Sequence, residues 1–210
     1  MFPKGSPISK RLLDLTLTSF CLVILSPLLL LIFVLIWIKF GRPILFRQLR
    51  PGFKGRPFLL YKFRSMTEDH DDQGKLLPDA QRLTAFGRFL RDFSLDELPE
   101  MFNVLRGEMS WVGPRPLLMK YLQRYNSDQA RRHEVLPGIT GWAQVNGRNT
   151  LTWEDKFRYD VWYVDHWSFL LDLKILWMTA VQVLKREGIS QPGHATAEEF
   201  IGSNNSDILD

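Results

Sequence analysis

Apolar positions are spread very unevenly along this chain. From Leu12 to Ile38 they form one almost continuous run, "LLDLTLTSFCLVILSPLLLLIFVLIWI". As a single helix that run would extend about 40 Å, against roughly 30 Å of bilayer hydrocarbon. It is too long for a secretory signal core and shows no small-residue cleavage site, so a retained membrane attachment is expected. Midway sit Ser26 and Pro27. Pro27 has no N–H for the carbonyl of Val23, and Ser26 is placed to bond back to Leu22, which bends a helix further.

Beyond the run the pattern shortens. "PILFRQLRPGFKGRPFLLYKFRSM" reads as a β-hairpin, two apolar or aromatic stretches around Pro51-Gly52 and Gly55. "TEDHDDQGKLLPDAQ" predicts an exposed loop. From Arg82, Leu83, Phe86, Phe89 and Leu90 recur at helical spacing, and a second helix is predicted from Ser94 to Leu105, closed by Gly107. "EMSWVGPRP" turns at Gly113, "LLMKYLQRYNSDQARRHEV" predicts a helix, and "LPGITGWAQVNGRNTL" predicts a structured loop. Trp153 to Arg186 predicts two amphipathic helices whose aromatic side chains suit a membrane–water boundary. The polar tail from Ser190 is expected to be loose.

Composition narrows the classes. A chain of 210 residues, 45% hydrophobic, suits one domain plus an appendage. The net charge of +4 admits an anionic partner (nucleic acid, acidic membrane or phosphorylated substrate) or simply solubility. Cys21 is the one cysteine, which excludes an intramolecular disulfide and a cysteine metal cluster. His70, His133, His166 and His194 are scattered without metal-ligand spacing. Basic residues flank the apolar run on both sides: Lys4, Lys10 and Arg11 before it, Lys39, Arg42, Arg47 and Arg50 after it. The positive-inside rule is therefore pulled both ways. Residue physics narrowly prefers a kinked spanning helix and leaves a re-entrant hairpin open.

The candidate chemistry lies in "FSLDELPEMFNVLRGEMSWVGPRP". Ser94 and Glu97 have capping-box spacing, the structural reading of Glu97, although Pro99 deprives the carbonyl of Leu95 of its helical partner. Asp96 then stands at a helix N-terminus, where negative charge is favoured. Adjacent carboxylates repel, and a Mg²⁺ ion held by one or two carboxylates and substrate phosphates relieves that repulsion. Arg88, Arg91, Arg115, Lys62, Arg64 and Arg148 supply cations suited to phosphate. A carboxylate can also attack phosphorus and form an aspartyl-phosphate.

Five ordered stretches, "SPLLLLI", "RPGFKGRPFLLYKFRSM", "FGRFLRDFSLDELPEMFNVLRGEMSWVGPRPL", "LPGITGWAQVNGRN" and "FRYDVWYV", together resemble the small bacterial monotopic phosphoglycosyl transferases. These are also called polyprenyl-phosphate sugar-1-phosphate transferases. The resemblance implies an α+β, mostly α-helical fold on the cytoplasmic face of the bacterial inner membrane. Ser26-Pro27 would break a re-entrant membrane helix over 1–40, followed by a catalytic domain over 41–190 and a polar tail over 191–210. It implies Asp96 as nucleophile on a UDP-sugar and as Mg²⁺ ligand, with Glu97 assisting. Arg91 and Arg115 would contact phosphate, and Lys62 and Arg148 are further phosphate or nucleotide candidates. The phosphosugar, an N-acetylated amino sugar by analogy, would pass to undecaprenyl phosphate with release of UMP. Membrane lipids are expected partners, nucleic acid is not, and a homodimer is compatible. Trp111 and Trp142 depart from the usual family residues. The rival readings are direct transfer in a ternary complex and a non-catalytic membrane-anchored binding protein.

Overall fold

Thirty-three residues, Ile8–Phe40, form the first helix, α1, in a computed structural model that describes residues 7–147, 151–185 and 199–202. At 1.5 Å per residue α1 is about 50 Å long. It is long and apolar enough to cross a membrane, and it runs on through Pro27. The Ser26 hydroxyl donates to the carbonyl of Val23 at 2.8 Å, not to Leu22 as expected. Val23 carries the carbonyl that Pro27 leaves without an N–H, so the hydroxyl replaces the missing donor.

The two ends of α1 are docked and its middle is not. At the N-terminal end Lys10, Arg11, Asp14 and Thr18 are buried. The Arg11 guanidinium donates to the carbonyls of Val104 at 2.5 Å and Leu105 at 2.8 Å. Lys10 pairs with Asp172 at 2.6 Å and also donates to the Val112 carbonyl. Asp14 accepts from Ser110 Oγ and the Trp111 amide, and Trp111 Nε1 donates to Thr18. Near the other end Ile32 and Ile36 pack with Ile44, Phe63 and Leu90. Between them Phe20, Val23, Ile24, Leu30 and Leu31 are exposed. Lys10 and Arg11, read from sequence as a basic flank, are thus structural groups of the folded body.

Strands β1 (Leu45–Pro51) and β2 (Pro57–Phe63) form the expected antiparallel hairpin, from Leu45↔Phe63 to Pro51↔Pro57. Phe58 and Leu60 are buried from one of its faces. Residues 68–76 are exposed, as predicted, and α2 (Asp79–Arg82) follows. Helix α3 (Ala85–Asp92) starts three residues later than the apolar spacing predicts, because Thr84 caps it by accepting from the Gly87 amide. Gly87 permits close approach to the strand end: a Cβ there would lie 1.7 Å from the carbonyl oxygen of Ser65.

The helix predicted over 94–105 is divided. Leu95–Glu97 is a single 3₁₀ turn, and α4 (Glu100–Arg106) begins after Pro99. Gly107, at φ 78°, closes α4 as expected. The Ser94–Glu97 capping box does not form, since Ser94 is left-handed at φ 54° and makes no side-chain cap. The carbonyl of Leu95 accepts from the Leu98 amide at 3.4 Å, which resolves the difficulty raised by Pro99.

Strand β3 (Ser110–Val112) comes next. The single helix expected over 117–135 is replaced by a 3₁₀ turn at Met119–Gln123, α5 (Ser127–Ala130) and another 3₁₀ turn at Arg131–Glu134. Asn126 interrupts it by forming a capping box with Gln129. The structured loop contains β4 (Gly138–Thr140), paired in parallel with β3, and α6 (Trp142–Val145). Gly113, Gly138 and Gly141 let these backbones touch: a Cβ on Gly138 would lie 2.1 Å from the Gly113 nitrogen.

Helices α7 (Trp153–His166) and α8 (Phe169–Lys185) meet the aromatic prediction halfway. Phe157 and Tyr163 of α7 fill cores, whereas Leu170, Leu173 and Trp177 of α8 leave an exposed apolar stripe. Most of the tail expected to be loose lies outside the described residues; within 199–202, Phe200 is 2% exposed and packs with Tyr121 and Phe157. The fold is α+β and mostly helical, with two small sheets among the described residues.

Candidate active site

The acidic pair enters the site on a short turn rather than on a long helix. Ser94 reverses the chain after α3, and the 3₁₀ turn then presents Asp96 and Glu97 toward β2 and the segment following β3. Lys62 Nζ lies 2.6 Å from Glu97 Oε1, and Arg115 Nη2 lies 2.5 Å from the same oxygen. Lys62 also reaches Glu100 at 3.2 Å. Glu100 follows Asp96 by four residues, one helical turn, and its side chain is almost fully buried. Two cations thus stitch Glu97 and Glu100 together beside Asp96.

These charges set distinct protonation tendencies. Burial works against an ionised Glu97, yet Arg115 and Lys62 hold it well below the ordinary carboxylate range. Burial, with the neighbouring Glu97 charge added, pushes Asp96 up to about 6. Burial also lifts Glu100 to about 7, against the attraction of Lys62. Glu97 raises Arg115 above its usual value. Lys62 is raised too, because the pull of Glu97 and Glu100 overcomes the effect of burial. Asp96 is 8% exposed, and its carboxylate makes no hydrogen bond or ion pair to the described residues. Of the three carboxylates it is the one left for an external partner.

Arg91 stands at the end of α3, and its Nε donates to Ser65 Oγ at 3.0 Å. Its charge acts on Asp96, favouring the ionised form. Arg115 is fixed from behind: Arg132 Nη2 donates to the Arg115 carbonyl at 2.7 Å. Arg132 is itself buried against Asp160, with contacts of 2.7 and 3.0 Å. The mutual approach of Gly113, Gly138 and Gly141 completes the platform before Arg115.

The cations named from sequence do not all converge. Lys62, Arg91 and Arg115 surround the acidic pair, whereas Arg64 donates to the carbonyls of Met66 and Pro43. Arg88 is exposed, and Arg148 lies outside the described residues. Trp111 is committed to Thr18, and Trp142 stacks on Trp162 at 5.0 Å. Ser26 and Pro27 lie mid-helix in α1, away from this cluster. Glu100, Ser65, Arg132 and Asp160 were not singled out from sequence. Only Glu100 carried a signal, its helical-turn spacing from Asp96.

No cluster of three or more ligating side chains that could hold a metal exists among the described residues. Asp96 alone fits the protein's share of a Mg²⁺ site in which substrate phosphates and water supply the other oxygens.

Residues 5–186 match the family described as bacterial sugar transferase. The chain is 58% identical over 196 residues to "Uncharacterized sugar transferase EpsL" of Bacillus subtilis (strain 168), covering 93% of this chain and 97% of that protein. It is 44% identical over 189 residues to the UDP-glucose:undecaprenyl-phosphate glucose-1-phosphate transferase of Xanthomonas campestris pv. campestris, covering 84% of this chain and 39% of that protein. It is 38% identical over 205 residues to the undecaprenyl-phosphate galactose phosphotransferase of Salmonella typhimurium, covering 88% of this chain and 42% of that protein. The chain thus spans less than half the length of the two relatives named for a reaction. An apolar anchoring helix, a carboxylate cluster bound by arginine and lysine, and a family match over most of the sequence agree: the chain belongs to the bacterial sugar transferase family.

Proposed function

We propose that this protein moves a sugar-1-phosphate from a UDP-sugar to undecaprenyl phosphate by way of a covalent intermediate on Asp96. The observation that carries the reading is the unbonded Asp96 carboxylate beside a Glu97 already neutralised by Lys62 and Arg115. The ionised Asp96 oxygen attacks the β-phosphorus, and the bond from that phosphorus to the oxygen of the α-phosphate breaks, releasing UMP. An oxygen of undecaprenyl phosphate then attacks the aspartyl-phosphosugar and displaces the Asp96 carboxylate. Arg91, Arg115 and Lys62 offset the phosphate charge, as phosphoryl transfer requires. Mg²⁺, held by Asp96 with substrate oxygens, would add charge neutralisation and in-line alignment. Glu97 orients the two cations; burial and the Glu97 charge raise Asp96, and Lys62, Arg91 and Arg115 oppose that rise and favour its ionised form.

The acceptor is a membrane lipid, so the site must lie near headgroup depth. Both ends of α1 dock on the body that carries Asp96, and its middle turns are exposed and apolar. That arrangement favours a re-entrant helix with both ends on the cytoplasmic face over a spanning one. Cysteines introduced near residue 7 and residue 41 should be labelled from the same side of sealed vesicles, and labelling from opposite sides would remove the re-entrant reading. The sugar is proposed as an N-acetylated amino sugar, with the neutral hexoses named for the relatives as the comparison panel.

The deciding experiment omits the acceptor. With a UDP-sugar and Mg²⁺ alone, the wild-type chain should release about one UMP per enzyme and gain one phosphosugar by intact mass, while Asp96→Asn does neither. UMP release that strictly needs undecaprenyl phosphate, with no adduct, would favour direct transfer. No release from any sugar of the panel would favour a non-catalytic anchored protein.

A further inference from the structure

Arg50, the penultimate residue of β1, carries an unanswered hydrogen-bond donor among the described residues. It lies on the hairpin face that also carries Gln48 and Lys62, since Arg50 pairs with Phe58, Gln48 with Leu60, and Phe46 with Lys62. Its Nη2 donates to Gln48 Oε1 at 2.6 Å, which fixes the direction of the fork. Its Nε–H is buried and meets no acceptor among the described residues. Buried donors are nearly always satisfied, so one left open beside a substrate site calls for a ligand acceptor. Burial and the like charge of Arg115 also press on this guanidinium and bring it down to about 10. Two arginines kept near each other make an arrangement suited to an anion.

The position of Arg50 gives that anion a direction. Lys62 stands opposite Phe46, four residues before Arg50 on β1, a separation of about 13 Å along the strand. Arg115 belongs to both ends of this interval: it shares the Glu97 oxygen with Lys62, and its field reaches Arg50. That interval separates backbones, whereas the two phosphates of a nucleoside diphosphate sugar are adjacent. The long Lys62 and Arg50 side chains must therefore lean toward each other to share the diphosphate, and the Gln48 contact holds the Arg50 fork on the Lys62 side. The phosphate that reacts belongs at the Asp96–Lys62 end, and the one that departs with the nucleoside extends away from it. We infer that Arg50, together with Arg115, holds the phosphate that leaves with the nucleoside. The assignment rests on the transferase reading above and deepens it by dividing the diphosphate between two groups of cations.

Uridine 5′-monophosphate is the probe, titrated calorimetrically into the full chain in lipid nanodiscs. Arg50→Ala should weaken its binding about tenfold, the scale of one charge-assisted contact. Arg50→Lys keeps the charge but loses the Nε donor, and should weaken binding several-fold. Arg47→Ala, on the opposite hairpin face against Tyr61, should bind as wild type. Thermal unfolding establishes that each variant is folded, and Arg50→Lys carries the test if Arg50→Ala is not. Wild-type UMP affinity in a folded Arg50 variant overturns this assignment alone, provided the wild-type chain still releases UMP from a UDP-sugar. If the wild-type chain neither binds UMP nor releases it, the assignment falls together with the transferase reading.

Discussion

The buried ion pair between Lys10 and Asp172 offers a quantitative test of how α1 is tied to the catalytic body. Lys10 is 5% exposed at its side chain and Asp172 is 0% exposed, with 2.6 Å between them. Lys10 also donates to the Val112 carbonyl at 2.9 Å and to Tyr163 Oη at 3.1 Å. Lys10→Met would leave the Asp172 carboxylate buried with Tyr163 and Trp167 as its remaining donors, at 2.7 and 3.0 Å. Removing one partner of a buried pair costs about 3–5 kcal/mol, and two surviving donors place this case near 3. At 2–4 °C per kcal/mol for a chain of this size, Tm should fall by roughly 6–12 °C. Lys10→Met with Asp172→Leu removes both charges and should recover at least half of that loss. Scanning fluorimetry in one fixed detergent measures all three variants. A drop of under 2 °C for the single variant, or a double variant no more stable than the single, would refute the argument. Because Lys10 also holds β3 through Val112, two residues from Pro114 and three from Arg115, the single variant should lose turnover below its Tm as well.

Three further outcomes follow from particular contacts. Gly87→Ala places a Cβ 1.7 Å from the Ser65 carbonyl oxygen; α3 must move, costing about 1–3 kcal/mol and loosening Arg91 from Ser65, so Tm and kcat/KM should both drop. Ser26→Ala removes the donor to Val23 and should cost about 1 kcal/mol, read as a lower Tm in nanodiscs with the fold otherwise kept. Glu100 is lifted from 4.5 to about 7 by burial, so its folded state holds the proton more tightly than the unfolded chain. Its contribution is then full below pH 4.5 and is lost as pH rises through about 7. Relative to Glu100→Gln, the wild-type chain should lose about 2–3 kcal/mol between pH 5 and 8, and parallel Tm–pH curves would contradict this.

Much of the architecture could be read locally. The apolar run of α1, the hairpin around Pro51-Gly52 and the aromatic helices α7 and α8 each repeat one environment over many residues, so periodicity exposes them. Gly107 marks a helix end by chemistry that acts within a few residues, whereas the apolar spacing from Arg82 runs past the Thr84 cap that starts α3. The parallel pairing of β3 with β4 had no such signal, since three residues on each side carry no period and their partners lie 28 positions apart. The broken segment over 117–135 also misled, because its apolar spacing is satisfied by two 3₁₀ turns and a capped turn of helix packed on α7.

The sequence by itself determined that a membrane helix precedes a domain bearing adjacent carboxylates among arginines, because chain composition and nearest-neighbour chemistry suffice for that. Only the tertiary structure decided which charges meet. It drew Lys62 and Arg115 onto Glu97 and left Asp96 unbonded, set Glu100 beneath them, sent Arg64 elsewhere, and turned Lys10 and Arg11 from membrane flank into buried clamp. The reason is physical: a long charged side chain reaches many places, and its partner is settled by which backbones pack together and which carboxylates that packing removes from water.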